Sequence, residues 1–305
     1  MKIAFCYPGQ GVQKIGMAED FVNSDASYKA MLESASLSSG LDMEHLLFEE
    51  NEDINITEFT QPALVTACSI MTKALMDKGI KPDITAGLSL GEYCSLYAAG
   101  AMSFEDAVRL TRIRGRLMSS AVPSGAGMMA AVIGLDSSVI LDGIKDIDGC
   151  YIANYNCPGQ IVLTGRKEAV EKAMPVMQEL GAKRVVPLNV SGPFHSPLLE
   201  ECSNELYEEL KKAEIKPLAI PYIANVTAET VTDCGEVRDL LKKQVYSSVK
   251  WEQSLLNMKQ QGVDLIIEIG PGKTVAGFVK KTCPEIPVVS VGTVADIDKA
   301  LEAIK

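Results

Sequence analysis

The tightest constraint on this chain lies between residues 83 and 99. Asp83-Ile-Thr-Ala-Gly87 reads as a short buried strand, and the run from about Gly91 to Ala99 reads as a helix. Only Leu88-Ser89-Leu90 stands between them, flanked by a glycine on each side. A strand that reverses this sharply into a helix belongs to a layered α/β fold, where parallel strands are joined by helices covering both faces of the sheet. The rest of the first half agrees. Lys2–Tyr7 is an apolar run stopped by Pro8-Gly9-Gln10-Gly11, a strand entering a glycine-rich turn. Thr60-Gln-Pro62 then predicts a helix start, with Thr60 as cap and Pro62 in the first turn. Leu64, Cys68, Met71 and Leu75 follow at helical spacing, and Gly79 ends the helix.

The middle of the chain changes pattern. Strands are expected over 128–135, 150–157, 160–164 and 182–190, with helices over 137–147 and 167–180. That order, β-α-β-β-α-β, is the ferredoxin-like unit. Pro175 should kink or shorten its helix. The expected division is a hydrolase-like catalytic domain with a mostly parallel sheet, made of 1–124 and 192–305. A ferredoxin-like α+β subdomain, 125–191, is inserted between them, entered through Pro123-Ser-Gly125 and left through Ser191-Gly-Pro193. After it come a helix over 197–213, a strand over 220–226, one long helix over 237–256, a strand over 263–269 and a helix over 274–281.

Composition removes several functions. Lys and Arg number 29 against 40 Asp and Glu, a net charge of −11, so nucleic acid and anionic membranes would be repelled over most of the surface. The apolar run at Met128–Ile133 falls far short of the roughly 18–20 residues of a membrane span. The start of the chain is too short in apolar residues for a secretory signal. The eight cysteines never form C-x-x-C, so neither a zinc site nor a disulfide set is expected, and scattered thiols suggest a reducing, cytoplasmic setting.

Chemistry points back to the sharp turn. Gly87-Leu-Ser-Leu-Gly91 fits G-x-S-x-G, the elbow that exposes a serine Oγ in a strained turn before a helix N-terminus. A tight turn without chemistry would give the same five residues, but the strand before and the helix after favour a nucleophile. A serine needs a base, and the chain has two histidines. His45 sits in an amphipathic segment, where an exposed or satisfied imidazole is the plain reading. His195, in the loop Ser191-Gly-Pro-Phe-His-Ser-Pro197, is the candidate base. Gly9-Gln-Gly11 lacks the third glycine of a dinucleotide loop at the right spacing, and Gly272-Lys-Thr274 lacks the leading glycine of a phosphate loop, where residue 267 is Ile. Gly9-Gln-Gly11 suits a loop offering backbone amides beside the elbow.

Taken together, these motifs resemble the malonyl-CoA:acyl carrier protein transacylases of bacterial fatty acid synthesis. The resemblance rests on Pro8-Gly-Gln-Gly11, Phe59-Thr-Gln-Pro-Ala63, Gly87-Leu-Ser-Leu-Gly-Glu-Tyr93 and Arg114-Gly115. It continues through Asn156-x-Pro-Gly-Gln160, Ser191-Gly-Pro-Phe-His-Ser196, Gln244 before Trp251, and Glu268-Ile-Gly-Pro-Gly-Lys273. It implies that Ser89 carries the acyl group and His195 is the base. Backbone amides of Gln10 and Leu90 would form the oxyanion hole, and the main-chain carbonyl of Gln244 would orient the histidine, giving the Gln244 side chain little weight. Arg114 would bind the malonyl carboxylate. Its neighbours Arg109, Arg112 and Arg116 read as a solvated helix face, whereas a guanidinium aimed into an acyl pocket could hold a carboxylate in two-pronged fashion. Phe194 and Leu90 match the malonyl-specific pattern, Phe194 crowding a methyl branch. One departure is Leu88, where the family often has His, which leaves His195 alone as proton carrier.

The partners so implied are malonyl-CoA and acyl carrier protein, with no metal or other cofactor. Carrier docking is expected on Lys183-Arg184 or Lys280-Lys281. Activity should fall between pH 8 and 5 as His195 protonates. The rival readings are a serine thioesterase or esterase, a malonyltransferase serving a polyketide synthase, and a carrier-binding module with a dead site.

Overall fold

The computed structural model describes residues 1–190 and 192–305. Ser191, in the expected exit from the inserted unit, lies outside the described residues. Strands β1 (Ile3–Tyr7) and β2 (Ile84–Gly87) come first. Four follow in the middle of the chain: β3 (Gly127–Ile133), β4 (Cys150–Cys157), β5 (Gln160–Arg166) and β6 (Arg184–Pro187). Three short ones come next, β7 (Tyr222–Ile223), β8 (Thr230–Val231) and β9 (Val249–Lys250). The last are β10 (Leu265–Ile269) and β11 (Val288–Val291).

Two sheets result. The larger has the order β11-β10-β1-β2-β7-β8 and is parallel except for the β7–β8 pair. β1 and β2 are buried along their whole length, as central strands covered on both faces must be. The second sheet has the order β6-β3-β5-β4-β9. Its four strands from 127–187 pair antiparallel with one another, with helices Ser137–Ile144 and Lys167–Glu179 between them in the ferredoxin-like sequence. β9 joins that sheet parallel to β4, through Asn154–Val249 and Tyr155–Lys250, although it lies in the C-terminal part of the chain. Among the described residues no helix is long and apolar enough to cross a membrane.

Several local expectations change. The long buried helix spans Thr57–Asp77, so Thr60 lies inside it and Pro62 is an interior residue. A proline there removes the N–H that would reach the carbonyl of Glu58. Arg112 supplies the missing donor, its Nη1 meeting Glu58 O at 3.0 Å. Arg112 also pairs with the Glu58 carboxylate and lies over the Phe59 ring, and Arg109 pairs with Asp106 and Glu209. Of the three arginines assigned to a solvated face, Arg116 alone is exposed. The single helix expected over 237–256 is two, Val237–Tyr246 and Trp251–Gln260, separated by β9. Pro175 is accommodated inside Lys167–Glu179, and β6 is shorter than the expected 182–190.

Candidate active site

β2 carries the chain into the elbow, and crowding explains its two glycines. A Cβ on Gly87 would sit 1.9 Å from the backbone of Gly91, and one on Gly91 would sit 2.7 Å from the Tyr7 carbonyl oxygen. Ser89 between them has φ of 51°, in the left-handed region. His195 has φ of 59°, so two of the four non-glycine residues at positive φ among the described residues face each other here. Such conformations cost energy and persist only where surroundings hold them.

The holding groups are visible. Asn225 Oδ1 accepts from the Ser89 amide at 2.6 Å, and its Nδ2 donates to Gly87 O at 2.7 Å, so one side chain spans the elbow. On the histidine side, Thr164 Oγ1 donates to Phe194 O at 2.8 Å and Ser196 Oγ to Pro193 O at 2.6 Å. These hold the loop so that His195 Nε2 lies 2.7 Å from Ser89 Oγ. The other ring nitrogen, Nδ1, lies 2.8 Å from the Gln244 carbonyl oxygen. A carbonyl can only accept, so Nδ1 carries the hydrogen and Nε2 is left free to accept from the serine. Burial pushes the imidazole pKa down to about 4, with the nearby Arg114 charge acting in the same direction and the Gln244 bond opposing. The ring is therefore neutral near pH 7, the form a base needs. With the pKa at about 4, the fall expected as His195 protonates lies below pH 5, lower than an ordinary imidazole would place it.

Arg114 is only 1% exposed on helix Phe104–Ser120. Its Nη1 donates to Gln61 Oε1 at 2.8 Å, and its Nη2 donates to Gln244 Oε1 at 2.9 Å and to Ser89 Oγ at 3.2 Å. Burial lowers its pKa from the usual value. A buried guanidinium thus touches the same oxygen as the imidazole, with neutral groups as its hydrogen-bond partners.

The Gln244 side chain proves to be a hub. It is fully buried, and beyond Arg114 its Nε2 donates to Ser89 O at 2.8 Å and to Glu92 Oε2 at 2.7 Å. Little weight attached to this side chain on sequence grounds, yet it bonds Arg114, Ser89 and Glu92.

A cleft of about 290 Å³ opens onto Ser89 and His195. Gly9, Gln10 and Leu88 line one side, and Met129, Val162, Leu188 and Phe194 another. Neither the Gln10 nor the Leu90 amide donates a hydrogen bond among the described residues. The Gln10 side chain is tied back to Thr57 Oγ1 at 2.9 Å. His45 is exposed and pairs with Glu49, away from this constellation. No group of three or more His, Cys, Asp or Glu among the described residues is placed to hold a metal ion.

Residues 4–300 match the family model described as acyl transferase domain. The malonyl CoA-acyl carrier protein transacylase of Bacillus subtilis is 40% identical over 309 aligned positions, covering 100% of this chain and 98% of that protein. This chain belongs to the malonyl-CoA:acyl carrier protein transacylase family. The solved transacylase of Clostridium perfringens superposes with a TM-score of 0.95 at 38% identity, covering 100% of this chain and 97% of its own. A malonyl-transacylase solved in complex with a type II polyketide synthase acyl carrier protein gives a TM-score of 0.96 at 35% identity, covering 99% and 100%. In this member of the transacylase family, sequence reasoning missed Asn225, Glu92 and Gln61. Glu92 stood in view directly after the elbow motif. Gln61 likewise lay inside the Phe59-Thr-Gln-Pro-Ala63 motif, but its bond to Arg114, 53 residues away, could not be read from it; Asn225 carries no local signal, because its partner is 136 residues away.

Proposed function

We propose that this acyltransferase moves the malonyl group from malonyl-CoA to the phosphopantetheine thiol of acyl carrier protein, by way of an acyl-serine, supplying fatty acid synthesis in the cytoplasm. The observation that carries this reading is one oxygen with two partners: Ser89 Oγ meets a neutral imidazole at 2.7 Å and a buried guanidinium at 3.2 Å. His195 takes the Ser89 proton as Oγ attacks the thioester carbonyl. The amides of Gln10 and Leu90 receive the oxyanion, and preorganised donors of this kind stabilise charge that develops only in the transition state. As the intermediate collapses, the C–S bond breaks and the CoA sulfur leaves with the proton from His195. The second half repeats the steps with the carrier thiol as nucleophile, and Ser89 regains its proton. Gln244 O keeps the imidazole tautomer correct throughout.

Arg114 would bind the malonyl carboxylate, since its present partners are neutral and a carboxylate offers it a charged pair. Phe194 would restrict the α-carbon. In this reading 1–124 with 192–305 carry the chemistry, and 125–191 supply the facing wall. The carrier would dock on Lys280-Lys281, at the end of the helix whose Thr274 and Phe278 line the cleft, or on Lys183-Arg184.

Intact-mass measurement after mixing with malonyl-CoA tests the reading. One malonyl unit is expected on the wild-type protein, none on Ser89→Ala, and discharge of the adduct on adding holo carrier protein. Discharge to water at the same rate without carrier would make the protein a thioesterase instead.

A further inference from the structure

Glu92 is the second residue of helix Gly91–Ala98 and is 0% exposed. Its Oε2 accepts from Gln244 Nε2 at 2.7 Å and from the Asn225 backbone N–H at 3.3 Å, while its Oε1 is buried with no partner among the described residues. The Gln244 amide stands between this carboxylate and Arg114, NH₂ toward Glu92 and oxygen toward the guanidinium. The reverse orientation would set oxygen against oxygen and donors against donors, so the two charges specify one arrangement. That arrangement also delivers the Nε2 bond to Ser89 O.

The other titratable groups facing Glu92 are uncharged. Burial pushes the hydroxyls of Tyr93, on the same helix, and Tyr222, on β7, well above their usual values. His195, across Ser89, is held neutral by burial. The charges in this buried region are thus Arg114 and, when ionised, Glu92. A malonyl carboxylate paired with Arg114 would add a second anion for one cation. Two buried anions so placed cannot both stay ionised without penalty, and the one with fewer donors takes the proton.

We propose that Glu92 is a positioning and charge-balancing residue of the malonyl site, ionised beside Arg114 when the acyl pocket is empty and protonated when a substrate carboxylate pairs with that arginine. The proton comes from solvent and returns there when the malonyl group leaves. Burial already pushes the Glu92 pKa up to about 7, against the pull of Gln244, Asn225 and Arg114, so a modest further push suffices near neutral pH. The inference rests on the malonyl reading given above.

Calorimetry tests it, with malonyl-CoA and acetyl-CoA titrated into Ser89→Ala protein in two buffers of different ionisation enthalpy. At pH 7.5 malonyl-CoA should take up about half a proton more than acetyl-CoA, and its Kd should rise ~3-fold per pH unit between about 7 and 8. Adding Glu92→Gln, which keeps an acceptor for Gln244, should remove both effects. Equal proton uptake for the two thioesters in the single variant overturns the proposal, whether or not the double variant folds. Excess uptake that survives Glu92→Gln overturns it as well. If wild-type protein is not malonylated at all, the failure lies instead with the malonyl reading.

Discussion

The two sides of the cleft differ in how densely their polar groups are bonded. At the end of the parallel sheet, Ser89 sits among buried polar groups that bond one another: Asn225, Gln244, Glu92, Arg114 and Gln61. Across from it, Met129, Val162, Leu188 and Phe194 give a largely apolar wall, interrupted by Asn154, Asn156 and Asn189, from the antiparallel sheet and the loop that leaves it. A bonded polar cluster in a low-dielectric interior holds its members to one geometry, and losing one member strands the others. An apolar wall tolerates changes of shape. In the function proposed above, reactivity and charge recognition belong to the first side and steric selection to the second. His195 joins the two, its loop leading from the antiparallel sheet and its Nδ1 docked on Gln244 of the polar side.

Breaking the polar side should hurt most. His195→Ala should slow acylation of Ser89 by on the order of 10²–10⁴-fold, the usual contribution of a positioned proton-transfer group, read by rapid-quench mass measurement. A loss below tenfold would mean that another group takes the serine proton. Arg114→Ala comes next. Removing the cation from a carboxylate site should cost roughly 2–5 kcal/mol for malonyl-CoA alone, lowering the malonyl-to-acetyl ratio of kcat/KM by about 30-fold to several thousand-fold. Equal losses for both thioesters would make Arg114 a structural member of the cluster.

The apolar wall predicts a smaller effect. Phe194→Ala should raise methylmalonyl relative to malonyl transfer by about tenfold, the scale on which one methyl group is discriminated in a pocket. An unchanged ratio would move the steric filter away from Phe194. The smallest expected effect is a flat line. Because the His195 pKa is depressed to about 4, the imidazole is already neutral at pH 5. The rate of acylation at saturating malonyl-CoA should therefore hold between pH 8 and 5 and fall only as pH approaches the depressed value, where the base becomes protonated. A decline of about tenfold already complete at pH 5.5 would show a histidine at its ordinary value of 6.5.

Much of this was legible before the structure. Gly87 announces its own crowding, because a Cβ there would meet the backbone of Gly91 four residues on, whereas Gly91 is crowded by Tyr7 and Pro8 at the end of the distant β1. Two histidines leave a short search for a base, and the β-α-β-β-α-β order shows in the alternation of apolar runs. Other features could not be read. Pro62 reads as a helix start, since nothing nearby in sequence reveals that Arg112, fifty residues on, supplies the donor it lacks. The break between Val237–Tyr246 and Trp251–Gln260 is likewise set by β9 pairing with β4, a contact about ninety-five residues distant.

The sequence by itself determined the layered α/β fold, the strained serine and the histidine in its loop, because those depend on local backbone sterics, on hydrophobic period and on which side chains can take a proton. Tertiary structure alone decided the protonation states and the polar cluster. A pKa depends on how much water a group loses and which charges face it, and a buried hydrogen bond on partners drawn from several elements. Glu92, Asn225 and Gln244 acquire their places only when helix 91–98, the segment after β7 and helix 237–246 meet around Ser89.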